Sequence, residues 1–247
     1  MDKLINKSID KTIDLYIPKL NHFEDESVMI DSINTLIFDI AENAIYSTGT
    51  FRLALAGGNS GVDFYKELSK TTMDWENIEF YQTDERFVDT DNKESNQKML
   101  KNSLAEAIDK GAEFYPIKIT ENVDTTAKEY SDRLDLLADN PIFDLMILGV
   151  GEDGHIASLF PQQEYLKTGT QSVIVTKTKG QKINTRISIS LDTILKSQNI
   201  FVYLKGEPKY SVIEEVFSGS KKAVDYPIKL LLAHPNVNFF YSENSLN

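Results

Sequence analysis

The sequence predicts an α/β fold, in which a mostly parallel β-sheet carries helices on both faces. Short apolar runs alternate with segments whose apolar residues recur at helical spacing, and the connections between them are short. The run at 143–148 is continuously apolar, which is typical of a strand covered on both sides. Glycines follow two of the apolar runs, at 57–58 and at 149–154, where strands would end.

Each element is justified by its own spacing. The first helix is predicted over 31–45, because Ile33, Ile37 and Ile40 fall on one face. Four further segments have the same periodicity, and eight short runs rich in β-branched and aromatic residues predict strands. In chain order these are strand 51–56, helix 61–68, strand 78–82, helix 95–108, strand 114–117, helix 124–138, strands 143–148, 172–176, 186–189 and 200–204, helix 209–217 and strand 237–241.

Composition limits the classes of protein that the chain could be. No linker-like stretch interrupts the 247 residues, so one domain is predicted over 1–247, and 41% apolar residues suffice for a core. The absence of cysteine excludes disulfides, thiol catalysis and a cysteine zinc site. A net charge of −12 argues against nucleic acid as a partner, although a small anion could still bind local cations. No signal peptide or membrane-spanning run is evident, which predicts a cytoplasmic protein without a membrane partner.

Chemically notable residues follow four of the predicted strands. They occupy 57–60, 83–86, 149–155 and 205–209. Ligands of parallel α/β sheets bind at the carboxyl ends of the strands. We therefore expect these four segments to converge at one edge of the sheet.

The first of these segments is a glycine turn that could hold an anion. Gly57, Gly58, Asn59 and Ser60 join a strand to a helix, so that backbone amides and a helix N-terminus could face a phosphate. The lysine of a P-loop is missing. Ser60 and Asp63 also fit a variant of the capping box, so a simple capped turn is the alternative.

Four charged residues could complete a site for a negatively charged ligand. Asp84 and Arg86 follow a strand, where the arginine could face developing negative charge, although a solvated loop is the alternative. Arg186 opens an alternating strand, and Lys209 begins a helix, although for each of them taken alone a surface cation is the alternative. A lysine in the first turn opposes the helix dipole, and a bound anion would offset that cost.

His155 is the strongest candidate for a catalytic group. It follows a buried strand and three glycines, and an imidazole with an ordinary pKa of about 6.5 can take and return a proton near neutral pH. Asp153 could orient it. The glycines match G-x-G-x-x-G, but the acidic residue that a dinucleotide site needs about 20 positions later is missing. A structural histidine remains the alternative.

Together these motifs resemble the 6-phosphogluconolactonases, within the larger group that includes the glucosamine-6-phosphate deaminases. The resemblance spans nearly the whole chain and keeps the order of the motifs. One departure is Asn59-Ser60-Gly61, where lactonases often have Ser-Thr-Pro. The segments that carry the resemblance are 53–58, 74–75, 80–86, 95–96, 149–161, 185–190 and 206–209.

The resemblance implies a Rossmann-like sheet similar to the glucosamine-6-phosphate deaminase fold, and hydrolysis of 6-phospho-D-glucono-1,5-lactone without a metal or other cofactor. It implies that His155 activates water, that Arg86 stabilises the oxyanion or binds sugar hydroxyls, and that the glycine turn, Arg186 and Lys209 bind the phosphate. Deaminases have Tyr in place of Arg86 and a glutamate in place of Phe160, so deamination is the less favoured enzymatic alternative. A sugar-phosphate sensor without catalysis is the other alternative.

Overall fold

The computed structural model describes residues 16–137, 142–166, 171–178 and 181–245. The strands are β1 (Lys19–Asp25), β2 (Phe51–Leu55), β3 (Ile78–Gln82), β4 (Asp84–Arg86), β5 (Glu113–Tyr115), β6 (Leu145–Leu148), β7 (Val173–Lys177), β8 (Thr185–Ile189), β9 (Ile200–Lys205) and β10 (Val237–Asn244). The α-helices within these residues are α1 (Glu26–Thr48), α2 (Val62–Lys70), α3 (Asn96–Ser103), α4 (Ala105–Asp109), α5 (Val123–Asp135), α6 (Leu191–Leu195) and α7 (Tyr210–Ser218).

The main sheet confirms the predicted parallel α/β fold. In the described residues, seven strands pair in the order β5-β3-β2-β6-β9-β10-β1, and each pairing is parallel. From β2 the chain moves outward through β3 to β5, and from β6 it moves the opposite way through β9 to β10. The direction therefore reverses between β2 and β6, which is the switch point where doubly wound sheets open a crevice.

Both faces of the main sheet are covered, as the continuously apolar strand predicted. In β6, Leu145 and Ile147 join one core cluster while Met146 and Leu148 join the other, because successive side chains point to opposite faces. Helices α1 to α4 contribute to the first cluster. Helices α5 to α7 contribute to the second, together with a smaller sheet.

The smaller sheet was not predicted as a separate layer. Its strands pair antiparallel in the order β4-β8-β7, so the runs predicted at 172–176 and 186–189 lie outside the parallel sheet. Strand β4 itself has three charged residues and no apolar run, and its pairing partner is about 100 positions away in the sequence. A strand that depends on so distant a partner cannot be recognised from the residues around it in the sequence.

Several predicted boundaries differ from the structure. Strand β1 was missed, because it is an edge strand whose residues are mostly exposed and do not alternate in polarity. The helix predicted over 95–108 is interrupted between α3 and α4 at Leu104. Residue 138, the predicted end of another helix, lies outside the described residues. The described residues begin at Tyr16, and pairing in the main sheet begins at Lys19.

No helix in the described parts of the chain is long and apolar enough to cross a membrane.

Candidate active site

A small cavity lies at the carboxyl edge of the main sheet, at the switch point between β2 and β6. Its volume is about 150 Å³. Three of the four strand-end segments that we expected to converge line it, and the fourth reaches it through the hydrogen bond of Lys209. The lining residues are Ala56, Gly57, Gly58, Ser60, Asp84, Arg86, Asn96, Gly149, Val150, Gly151, His155, Ala157 and Arg186.

The glycine turn after β2 forms one wall of the cavity. Gly58 has a φ of 101°, a conformation that glycine adopts without strain. Gly57 lies against the side chain of Asn96, and a Cβ at Gly57 would come within 1.9 Å of the Asn96 Cγ. The capping box that was the alternative for Ser60 and Asp63 does not form: helix α2 has Gly61 as its N-cap, with no side-chain capping bond. Ser60 lines the cavity instead, whereas Asn59 is exposed and absent from the lining.

Glu85 fixes the loop from β4 to α3. Its fully buried carboxylate accepts hydrogen bonds from the backbone N–H groups of Arg86, Asn96 and Gln97 at 2.6–2.8 Å. The Ser95 hydroxyl and the Gln82 amide add two more. Burial raises the pKa of Glu85, and these donors act in the opposite direction. The carboxylate thus holds the start of α3 against β4, which places Asn96 beside the glycine turn.

Asp84 connects two walls of the cavity. It is 4% exposed, and its Oδ2 accepts a hydrogen bond of 2.6 Å from the hydroxyl of Ser158. Ser158 belongs to the loop that carries His155, and its backbone N–H donates to Ser188 of β8. The carboxylate therefore joins β4 to the loop that follows β6, while its side chain lines the cavity.

Two arginines face each other across the antiparallel ladder. Arg86 of β4 is directly opposite Arg186 of β8, and both line the cavity. Arg86 donates from Nη1 to the Glu94 carbonyl at 2.7 Å, and its buried Nε has no hydrogen-bond partner in the described structure. Burial lowers the pKa of Arg186, with nearby Asp84 acting against it and Arg86 reinforcing it. Like charges placed directly opposite are unfavourable, so this pair favours a bound anion.

The imidazole of His155 is fixed on three sides. Its Nδ1 lies 2.6 Å from Oδ1 of Asp153, and its ring stacks on Phe160 with centroids 4.4 Å apart. On another side it meets Gly151, where a Cβ would lie 2.1 Å from Nδ1. Burial acts to raise the pKa of Asp153, but the hydrogen bond and charge of His155 outweigh it and hold that pKa below its usual range. With Nδ1 engaged, Nε2 is the nitrogen left for a substrate.

The loop that carries His155 is a tight, strained turn. Ala157 has a φ of 48°, which is unusual for a residue with a Cβ and often accompanies function. Gly154 has a φ of 79° and packs under the ring of Tyr226, and the Ile228 N–H donates to the Gly154 carbonyl at 2.9 Å. The C-terminal part of the chain therefore supports this turn from outside the cavity.

Lys209 approaches the cavity from the end of β9. The turn that contains it begins at Gly206, whose φ of 83° suits glycine, and Lys209 is the N-cap of α7 rather than its first residue. Its Nζ donates to the carbonyl of Val150 at 2.8 Å, and Val150 lines the cavity. That contact partly satisfies the ammonium group while leaving it at the cavity's margin.

The structure thus brings the predicted residues together, with Asn59 the exception, and adds three that the sequence did not assign to the site. Asn96 lines the cavity, Ser158 holds Asp84, and Phe160 stacks on His155. The last two belong to the same run, 149–161, as His155, which was the available signal. Within the described residues, no three histidine, aspartate or glutamate side chains cluster as metal ligands.

Comparisons with known proteins find 6-phosphogluconolactonases that are similar over most of the chain. The 6-phosphogluconolactonase of Neisseria meningitidis is 29% identical over 90% of this chain and 98% of its own length. That of Synechocystis is 26% identical over 87% and 91%. The crystal structure of a 6-phosphogluconolactonase from Shewanella baltica superposes with a TM-score of 0.81 at 27% identity, covering 92% of this chain and 99% of that one.

The family model described as glucosamine-6-phosphate isomerases/6-phosphogluconolactonase matches residues 24–239. That range contains both walls of the cavity and the strands that support them. The chain therefore belongs to the glucosamine-6-phosphate isomerase/6-phosphogluconolactonase family.

Proposed function

We propose that this chain hydrolyses 6-phospho-D-glucono-1,5-lactone to 6-phosphogluconate. The observation that carries the proposal is the position of His155, whose Nδ1 is held by Asp153 in the same small cavity as two arginines and a glycine turn. The relatives that match most of the chain's length are named 6-phosphogluconolactonases. The site thus combines a proton-transfer group with groups suited to a phosphorylated sugar.

The chemical step begins with water. Nε2 of His155 takes a proton as the water oxygen adds to the lactone carbonyl, and the carboxylate of Asp153 stabilises the imidazolium that forms. Arg86 stabilises the negative charge on the tetrahedral oxygen. The imidazolium then returns its proton to the ring oxygen as the carbon–oxygen bond breaks, which yields the open-chain acid.

The phosphate positions the lactone for this step. Backbone amides at Gly58 and Ser60, the buried guanidinium of Arg186 and the ammonium of Lys209 bind it. Binding at this remote group orients the carbonyl toward His155, so that binding energy lowers the barrier to reaction. Asp84 accepts a hydrogen bond from a substrate hydroxyl.

The alternatives differ in what the site must contain. A glucosamine-6-phosphate deaminase would use the glutamate that Phe160 replaces, and here Phe160 is an apolar contact of the imidazole. A sensor would bind sugar phosphate without needing a histidine oriented by a carboxylate. The presence of Phe160 in place of that glutamate argues against the deaminase, and the oriented histidine argues against the sensor. Both observations favour the lactonase.

The test measures lactone loss against its spontaneous rate with purified protein. We expect strong acceleration by the wild type, and a decrease in kcat of about 10²–10⁴-fold in His155→Ala. The control is His22→Ala, since His22 is an exposed residue of β1 that pairs with Glu243. Ammonia release from glucosamine 6-phosphate would identify the deaminase, and binding without acceleration would identify the sensor.

A further inference from the structure

Phe160 is as buried as a core residue, but its ring contacts residues that line the cavity. It is 7% exposed, and its backbone N–H donates to the hydroxyl of Tyr165 at 3.1 Å. Its ring contacts the two groups with the most important proposed roles. The His155 ring stacks on it at 4.4 Å with an interplanar angle of 29°, and the Arg186 guanidinium lies 5.5 Å from its centroid.

We infer that Phe160 is a positioning residue for the lactone hydrolysis proposed above, fixing the plane of the His155 imidazole and stabilising its protonated form. The plane is set because the imidazole stacks on Phe160 and also lies against Gly151, where there is no room for a Cβ. Rotation within that plane is set by the hydrogen bond from Nδ1 to Asp153. Together these contacts leave one direction for Nε2.

The aromatic face also distinguishes the two protonation states of the imidazole. An aromatic ring carries negative charge density on its face, so it attracts an imidazolium more strongly than a neutral imidazole. The imidazolium exists only after water has been deprotonated, so this contact strengthens as the reaction proceeds and favours kcat over substrate binding.

Other charged groups act on the same imidazole. Asp153 bonds its Nδ1, Asp84 and Arg86 line the cavity that it faces, and Arg186 shares the ring of Phe160. A substitution at Phe160 that keeps the side chain apolar leaves the contacts of Asp153, Asp84 and Arg86 in place, and removes only the aromatic face shared by the imidazole and Arg186. A change in pH dependence in such a variant therefore reports the loss of the ring itself.

The test compares Phe160→Leu and Phe160→Met with Phe160→Tyr. Leucine and methionine keep an apolar side chain without a ring. The methionine variant provides the same comparison if the leucine variant does not fold. We expect both to lower kcat by about 3- to 30-fold, as cation–π energies imply. KM should change by less than about threefold, and the acid limb of the kcat profile should move to lower pH. Phe160→Tyr should keep the wild-type profile.

Phe143→Leu is the matched control, because Phe143 is also a buried phenylalanine of the core and does not line the cavity. It should lower the melting temperature without changing the pH profile. The inference is overturned if the ringless variants at 160 keep the wild-type kcat and acid limb, or if Phe160→Tyr loses as much kcat as they do. A wild type that does not accelerate lactone loss would instead overturn the proposed function.

Discussion

A single methyl group placed at Gly151 should displace the imidazole of His155, to which we assign the proton transfer. Its added Cβ would lie 2.1 Å from Nδ1 and 2.2 Å from Cε1 of His155, and 2.7 Å from Oδ1 of Asp153. Ordinary contact begins at 3.4 Å, so the ring has to withdraw by about 1 Å or more. A misplacement of that size can cost about 10²-fold in rate. We therefore expect Gly151→Ala to lower kcat by about two orders of magnitude.

Gly219→Ala is the control for this prediction. Its added Cβ would lie 2.2 Å from Cδ of Glu215, which is a similar clash with a side chain, but neither Gly219 nor Glu215 lines the cavity. Steady-state lactone hydrolysis should give a kcat within about threefold of the wild type, since the imidazole is not displaced. Equal losses in the two variants, or a normal kcat in Gly151→Ala, would refute the steric reasoning.

Three further predictions concern binding and stability. Arg186→Ala should weaken calorimetric binding of 6-phosphogluconate by about 10- to 100-fold by removing a charge-assisted hydrogen bond, while Arg133→Ala, on the exposed side of α5, should not. Asp153 has a depressed pKa, so its pairing stabilises the fold above the unfolded value of about 3.9 and is lost as pH falls below it. The melting-temperature gap between wild type and Asp153→Asn should therefore narrow as pH falls below about 3.9; a constant gap would contradict this. Glu85→Gln should lower the free energy of unfolding by about 2–3 kcal/mol in urea titration, because an amide NH₂ meets backbone donors, whereas exposed Glu106→Gln should change it by less than about 0.5 kcal/mol.

The sequence predicted those parts of the fold that depend on local pattern. The apolar run ending at Leu148 and the glycines at 57–58 indicated buried strands and their ends, and the rule for parallel sheets then predicted where the ends meet. Strand β4 was beyond such reasoning, because three charged residues form a strand only when β8 supplies the partner.

Within the site, the types of residue were predictable but their contacts were not. His155 and Arg86 were identified by their positions after strands. That Asn96 occupies the space left by the missing Cβ of Gly57 depends on two loops 39 positions apart. The stacking of Phe160 on His155 depends on the strained turn at Ala157, and no rule of residue spacing predicts such a turn.

The pairing of Arg86 with Arg186 in one cavity has a practical consequence for experiments. An empty cavity with this arrangement attracts whatever small anion is dissolved around it, and sulfate or inorganic phosphate from a buffer would compete with substrate. The same ions should protect the protein against heat in proportion to their occupancy. Kinetic work is therefore best begun in a zwitterionic buffer with chloride as the only counterion.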